Sequence, residues 1–258
     1  RTASSLSSRL KKIIHFQKMG LTWPPTQDFT FDEVYPERKG KPIESTSIVD
    51  KGKGKGYRAG IVGDCQKSII QCFENVPYLK LLWNSLESQG CAPNLSRNFS
   101  CEICQGGNEI EHAGNYDHST NQVVICANNV KSEGKCCGTL IRNMMDMFDK
   151  CTYKTDGSNV NHLACTEIRK ANLADCNYNR YLNRKDADFA VSCKHKDCVK
   201  SVALENLIRT KFVPEKEARE AIHSVFSKCY NDLEPIGRRA VTKEDMEQAY
   251  YERYLFGY

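Results

Sequence analysis

Fourteen cysteines in 258 residues constrain this chain more than any other feature. They stand at Cys65, Cys72, Cys91, Cys101, Cys104, Cys126, Cys136, Cys137, Cys151, Cys165, Cys176, Cys193, Cys198 and Cys229. Reducing compartments seldom host so many thiols, so two chemistries compete: a disulfide framework made under oxidising conditions, or a set of zinc sites. Spacing separates them. A zinc knuckle needs two closely spaced cysteine pairs. Only Cys101 and Cys104 have the two-residue gap, and Cys193 with Cys198 is looser. Spacing and the even count favour disulfides, with all fourteen cysteines as candidates and their pairing open.

A 40% hydrophobic content supports a buried core. The net charge of +5 arises from 37 basic and 32 acidic residues. That mild excess lacks the dense basic face of a nucleic-acid binder, so no nucleic-acid partner is expected. Apolar runs are broken by Lys, Asn or Glu well short of the roughly 20 residues a membrane span needs. Residues 1–20 contain no acid and place Leu6, Leu10, Ile13, Ile14 and Phe16 near helical spacing. This basic amphipathic segment reads as mitochondrial targeting, or equally as a helix for a partner or peripheral contact with anionic lipid.

Residues 21–60 hold four prolines and the run Lys51-Gly52-Lys53-Gly54-Lys55-Gly56, which reads as an extended arm. Helical periodicity begins near Asp64, breaks near Pro77 and stops at Gly90. Asn94 to Gly114 reads as loop and Gln122 to Asn128 as a strand. Further helices are predicted over Thr139–Cys151, His162–Asn172 and Cys198–Arg209, then from Pro214 towards Cys229, and over Val241–Tyr258. Met144, Met145, Met147 and Phe148 read as core packing. His112 and His118 read as solvated loop residues.

Several segments carry a resemblance. They are Asn75-Val-Pro-Tyr-Leu-Lys-Leu-Leu82, Gln89-Gly90-Cys91, Phe99-Ser100-Cys101 with Cys104, and Gly114-Asn115-Tyr116-Asp117. The series continues with Val124 to Asn129, His162 to Arg169, Ala171-Asn172-Leu173, and Cys229 to Pro235. Spread in order from Asp64 to Arg238, they resemble the mitochondrial inner-membrane metalloproteases that process and help assemble the ATP synthase membrane sector, the Ku-binding protein family. The resemblance implies an α+β, mainly helical, zincin-like metalloprotease-derived domain over 61–239, with several disulfides. The basic segment and the extended N-terminal arm precede it, and an aromatic helical tail over 240–258 follows.

The family carries His-Glu-x-x-His, in which two imidazoles one turn apart hold zinc and the Glu activates water. Those three positions are Arg142, Asn143 and Asp146 here. Arg142 has no lone pair for a metal and Asn143 is no base at neutral pH. No metal and no cofactor are expected, and Arg142, Asn143, Asp146, Asp149 and Glu167 read as vestigial. Asp146 with Asp149, His162 and Glu167 leaves a remnant hard-cation site as the lesser alternative. The preferred one is an Arg142–Asp146 ion pair, four residues apart on one helix.

On this reading the chain is no enzyme. It is a pseudo-metalloprotease, a structural accessory subunit of a respiratory-chain complex or the ATP synthase, peripheral to the inner membrane in the intermembrane space. The alternatives are an assembly chaperone, or an active zinc metalloprotease with atypical ligands. The expected partners are subunits of a large inner-membrane complex. Trp23 and Tyr35 in the arm, and Tyr250, Tyr251, Tyr254 and Phe256 in the tail, are the contact candidates.

Overall fold

The computed structural model describes residues 55–104, 113–179, 192–240 and 242–258. Trp23, Tyr35, His112, the basic segment 1–20 with its lipid contact, and the arm to residue 54 lie outside the described residues, as does the side chain of Cys193. The fold is mainly helical with one small sheet, as expected. Among the described residues no helix is long and apolar enough to cross a membrane. Contacts divide the chain into two compact units, one of residues up to Ile70 with Pro93–Val130, the other of Gln71–Ala92 with Lys131–Tyr258.

In the first unit, helix α1 (Lys55–Asn75) supplies Cys65 and Ile69. Its first turns replace the end of the expected extended arm, since residues 55–60 are helical. After α2 (Pro77–Ser88) in the chain, helix α3 (Leu95–Asn98) starts where Asn94 accepts hydrogen bonds from the Ser96 and Arg97 amides. Strand β1 (Phe99–Glu102) pairs parallel with β3 (Gln122–Cys126), Phe99 opposite Val123. Strand β2 (Gly114–Asp117) pairs antiparallel with β3, giving the order β1-β3-β2. The middle strand is buried at every residue, which its Val-Val-Ile run suits.

The expectation of loop over 94–114 is therefore corrected at α3 and β1. A four-residue strand offers too little alternation to read, and β1 is held by its partner rather than by local propensity. Disulfides Cys65–Cys101 and Cys104–Cys126 tie this unit together. Asn128 adds to the second link by accepting from the Cys104 amide at 2.9 Å and donating to the Cys104 carbonyl at 2.8 Å.

In the second unit, α2 (Pro77–Ser88) begins with proline in its first turn and buries Tyr78, Leu79, Leu81, Leu82, Trp83 and Leu86. Phe73 and Trp83 meet edge to face with ring centroids 5.2 Å apart. Helix α4 (Glu133–Tyr153) packs against α2, capped by Ser132, which accepts from the Lys135 amide. Its methionines 144, 145 and 147 and Phe148 are buried in the core. Helix α5 (Val160–Lys170), capped by Asn159, runs into a π-helical segment (Ala171–Asn179). Tyr78 donates to the Leu173 carbonyl in that segment at 2.9 Å.

Helices α6 (Ser192–Thr210) and α7 (Glu215–Asn231) pack on α5. Pro214 stands just ahead of α7 as its cap, with Glu215 and Glu217 in the first turn near the positive end of the dipole. Bridges Cys72–Cys137, Cys91–Cys151, Cys165–Cys229 and Cys176–Cys198 complete six among the described residues. Cys136 departs from the expected framework: it is free and buried.

The tail is folded in part onto this unit. Helix α8 (Lys243–Glu252) closes a capping box between Thr242 and Asp245 and buries Met246 and Ala249 against α2. A 3₁₀ turn (Arg253–Phe256) follows α8. Gly237, at φ +77°, lies under Phe256, so a Cβ there would fall 2.5 Å from the ring. Tyr251, Tyr254, Leu255 and Phe256 remain exposed, while Tyr250 is half-buried.

Candidate functional site

One face of α4 carries the chemistry. At 100° per residue, Arg142, Asp146 and Asp149 lie within a narrow arc, and α4 packs against α5 and the π-helical segment. Across from them α5 presents Glu167, Arg169 and Lys170, all buried. Charges with so little solvent persist only when paired.

Lys170 is the hub. Its ammonium lies 3.0 Å from Asp146 Oδ1, 2.8 Å from Asp146 Oδ2 and 2.7 Å from Glu167 Oε1. Arg142 takes the other Glu167 oxygen at 2.5 Å and also pairs with Asp175 of the π-helical segment. Burial acts to raise the Glu167 carboxyl, but Lys170 and Arg142 prevail and hold it well below the usual carboxylate range.

A second cluster adjoins the first. Arg169 Nε donates to Asp149 at 3.1 and 3.3 Å, and its Nη2 donates to the Glu234 carbonyl at 2.6 Å. It also pairs with Asp232 and lies 5.2 Å from the centre of the Tyr153 ring. Tyr153 donates in turn to Glu234 Oε2 at 3.0 Å. Burial pushes the Asp149 carboxyl up to about 6 against the pull of Arg169.

These placements correct the expected Arg142–Asp146 pair. Both residues are ion-paired, but with partners on other elements, Glu167 and Asp175 for one and Lys170 for the other. Buried partners across a helix interface outcompete a pairing along one helix because they replace solvent the charges have lost. Asn143 is buried and donates to the Thr139 carbonyl at 2.9 Å. His162 is separate from the cluster: it is exposed in the first turn of α5, and its Nδ1 accepts from the Asp156 amide at 3.2 Å. Lys170, Arg169, Asp175 and Asp232 were missed by the sequence reading. Only Glu167 and Lys170, three apart on a helix, left a local signal.

The zinc that the resemblance implies does not fit this donor set. Tetrahedral zinc requires lone pairs from His, Cys or carboxylate about 2 Å away. Arg142 has none, and both oxygens of Asp146 and of Glu167 already face an ammonium or guanidinium. Among the described residues no three His, Cys, Asp or Glu side chains stand together as a metal group.

Residues 63–237 match the Peptidase M76 family. The chain is 32% identical over 228 residues to the mitochondrial inner membrane protease ATP23 homolog of Xenopus laevis, covering 88% of this chain and 92% of that protein. It is 35% identical over 176 residues to the Homo sapiens protein of the same name, with coverage of 67% and 69%. The Danio rerio homolog is 32% identical over 223 residues, with coverage of 84% and 81%. No solved structure matches.

These matches bear out the resemblance and correct two expectations. The assignment to the non-enzymes rested on Arg142, Asn143 and Asp146 alone, and it is overturned because the matched family is a family of peptidases. The reading as a non-catalytic accessory subunit is overturned because the three relatives are each named a protease. Three side chains decide what one helix face can bind; they do not decide the class of the whole fold.

Proposed function

Because the chain belongs to the Peptidase M76 family, we propose that it acts on polypeptides at the mitochondrial inner membrane, from the intermembrane-space side, with subunits of an inner-membrane complex as its polypeptide partners. The observation that carries this reading is the continuous match over residues 63–237, together with relatives named as proteases of that membrane. The six disulfides support the intermembrane-space side, since they need an oxidising compartment. The exposed Tyr251, Tyr254, Leu255 and Phe256 offer apolar contact area for a polypeptide. No hydrolytic step is assigned to α4, whose donors do not fit zinc.

The test uses the full chain isolated from mitochondria and offered unfolded inner-membrane subunits, with crosslinks and cleavage fragments both read by mass spectrometry. Crosslinks to the 251–256 stretch or discrete fragments support the reading; neither, at saturating polypeptide, overturns it. The compartment is tested by adding protease to mitochondria before and after the outer membrane is opened. Digestion only after opening supports the intermembrane space, and protection in both states removes it.

A further inference from the structure

The misfit between the donor set and zinc has a positive side, which rests on the geometry of the α4–α5 face and not on the polypeptide reading. A divalent ion bridging two helices does so by drawing oxygens from both around one centre of charge. Lys170 Nζ occupies such a centre: three carboxylate oxygens, two from Asp146 on α4 and one from Glu167 on α5, lie within 2.7–3.0 Å of it. Its side chain is only 4% exposed, so the ammonium is a fixed member of the interior. Arg142, 20% exposed, closes the outer edge by taking the remaining Glu167 oxygen and Asp175 of the π-helical segment.

We infer that Lys170, with Arg142, is a built-in cation that clamps α4 to α5 in place of a metal ion, so that this face takes up no zinc and the fold is independent of metal. The oxygens a metal would need are engaged, and an arriving dication would face an ammonium and a guanidinium within a few ångströms. The three N–H donors of an ammonium can serve the three oxygens at once. Removing Lys170 leaves Asp146 and Glu167 facing each other with one cation fewer between them.

Two measurements on the full chain test this. Native mass spectrometry after incubation with zinc should show the bare chain, and thermal unfolding should have the same midpoint with zinc and with a chelator. One zinc per chain, lost in Asp146→Asn, or a midpoint that falls with chelator, overturns the inference. The variant Lys170→Ala should then unfold at least about 5 °C lower. A large part of that loss should return with added propylammonium, which can enter and donate N–H, but not with tetramethylammonium, which carries the same charge and cannot. Lys170→Arg should keep most of the stability. Equal midpoints for Lys170→Ala and the unsubstituted chain, or equal effects of the two ammonium salts, overturn it. If Lys170→Ala does not fold, the zinc and chelator measurements decide.

Discussion

The two sides of α5 are stabilised by opposite means. One side carries Ala164, Ile168 and, just beyond its end, Ala171 into an apolar cluster with Val199, Ala203 and Leu207 of α6 and Ala218, Ala221 and Ile222 of α7. The other carries Glu167, Arg169 and Lys170 into buried ion pairs. Apolar burial is non-directional, so each methylene contributes nearly by itself and a swap of similar volume is absorbed. Buried charges hold one another, so the loss of one strands its partners. The same helix therefore has a tolerant side and an all-or-none side.

The sharpest way to break this contrast is Arg169→Met, which leaves the buried Asp149 without its cation, takes an ion-pair partner from the part-exposed Asp232 and removes the donor to the Glu234 carbonyl. A loss of about 3–5 kcal/mol is expected by denaturant unfolding. A loss below about 1 kcal/mol would make the ionic side no more demanding than a surface pair.

Acid probes the apolar side. His195 is buried there with Nδ1 2.8 Å from the Tyr230 hydroxyl, and burial, then Arg239, push its imidazole from 6.5 down to about 4. Its folded-state value lies below the unfolded one, so its contribution is present above pH 6.5 and is lost as pH falls towards 4. The shift itself corresponds to about 3 kcal/mol, and solvent screening brings the expected loss to the order of 1–2 kcal/mol. It should vanish from the pH–stability curve of His195→Gln, and an unchanged curve would place the acid sensitivity elsewhere.

Ile168→Val tests tolerance directly, with an expected loss of about 1 kcal/mol and an unchanged slope of unfolding against denaturant. A loss of several kcal/mol would mean that this side is as exacting as the ionic one. Arg219→Ala removes the solvent-exposed pair with Glu215 on α7 and should cost less than about 0.5 kcal/mol. Set beside Arg169→Met, it separates the effect of burial from that of charge.

What the sequence revealed follows the same divide. Periodicity displayed α4 through Leu140, Met144, Met147 and Phe148, and a Val-Val-Ile run displayed β3, because apolar spacing is a local signal. The family resemblance was legible in segments that fall within the matched span of 63–237. Partners distant in the chain were not legible. Asp175 lies 33 residues from Arg142 and Asp146 lies 24 from Lys170, separations at which no propensity operates. The disulfides were legible as a class and not as pairs, since cysteines 22 to 65 residues apart carry no mark of their mates. Arg142 offers no lone pair to a metal and Asn143 is no base, which side-chain chemistry alone makes legible; neither decides the class of the protein.

The neighbouring cysteines at the start of α4 give the fold a choice during oxidation. Cys72 is joined to Cys137, while Cys136 beside it stays a buried thiol. Burial, and then Glu133, push that thiol up to about 12, which keeps it protonated and a poor nucleophile for exchange once the helix is packed. Before packing, either cysteine is open to Cys72, and the two differ by 100° around the helix axis. A bond to Cys136 would turn α4 by that angle and carry Arg142, Asp146 and Asp149 away from α5. The bridge to Cys137 rather than to Cys136 thus goes with one rotational phase of α4, the one that turns the charged face to α5.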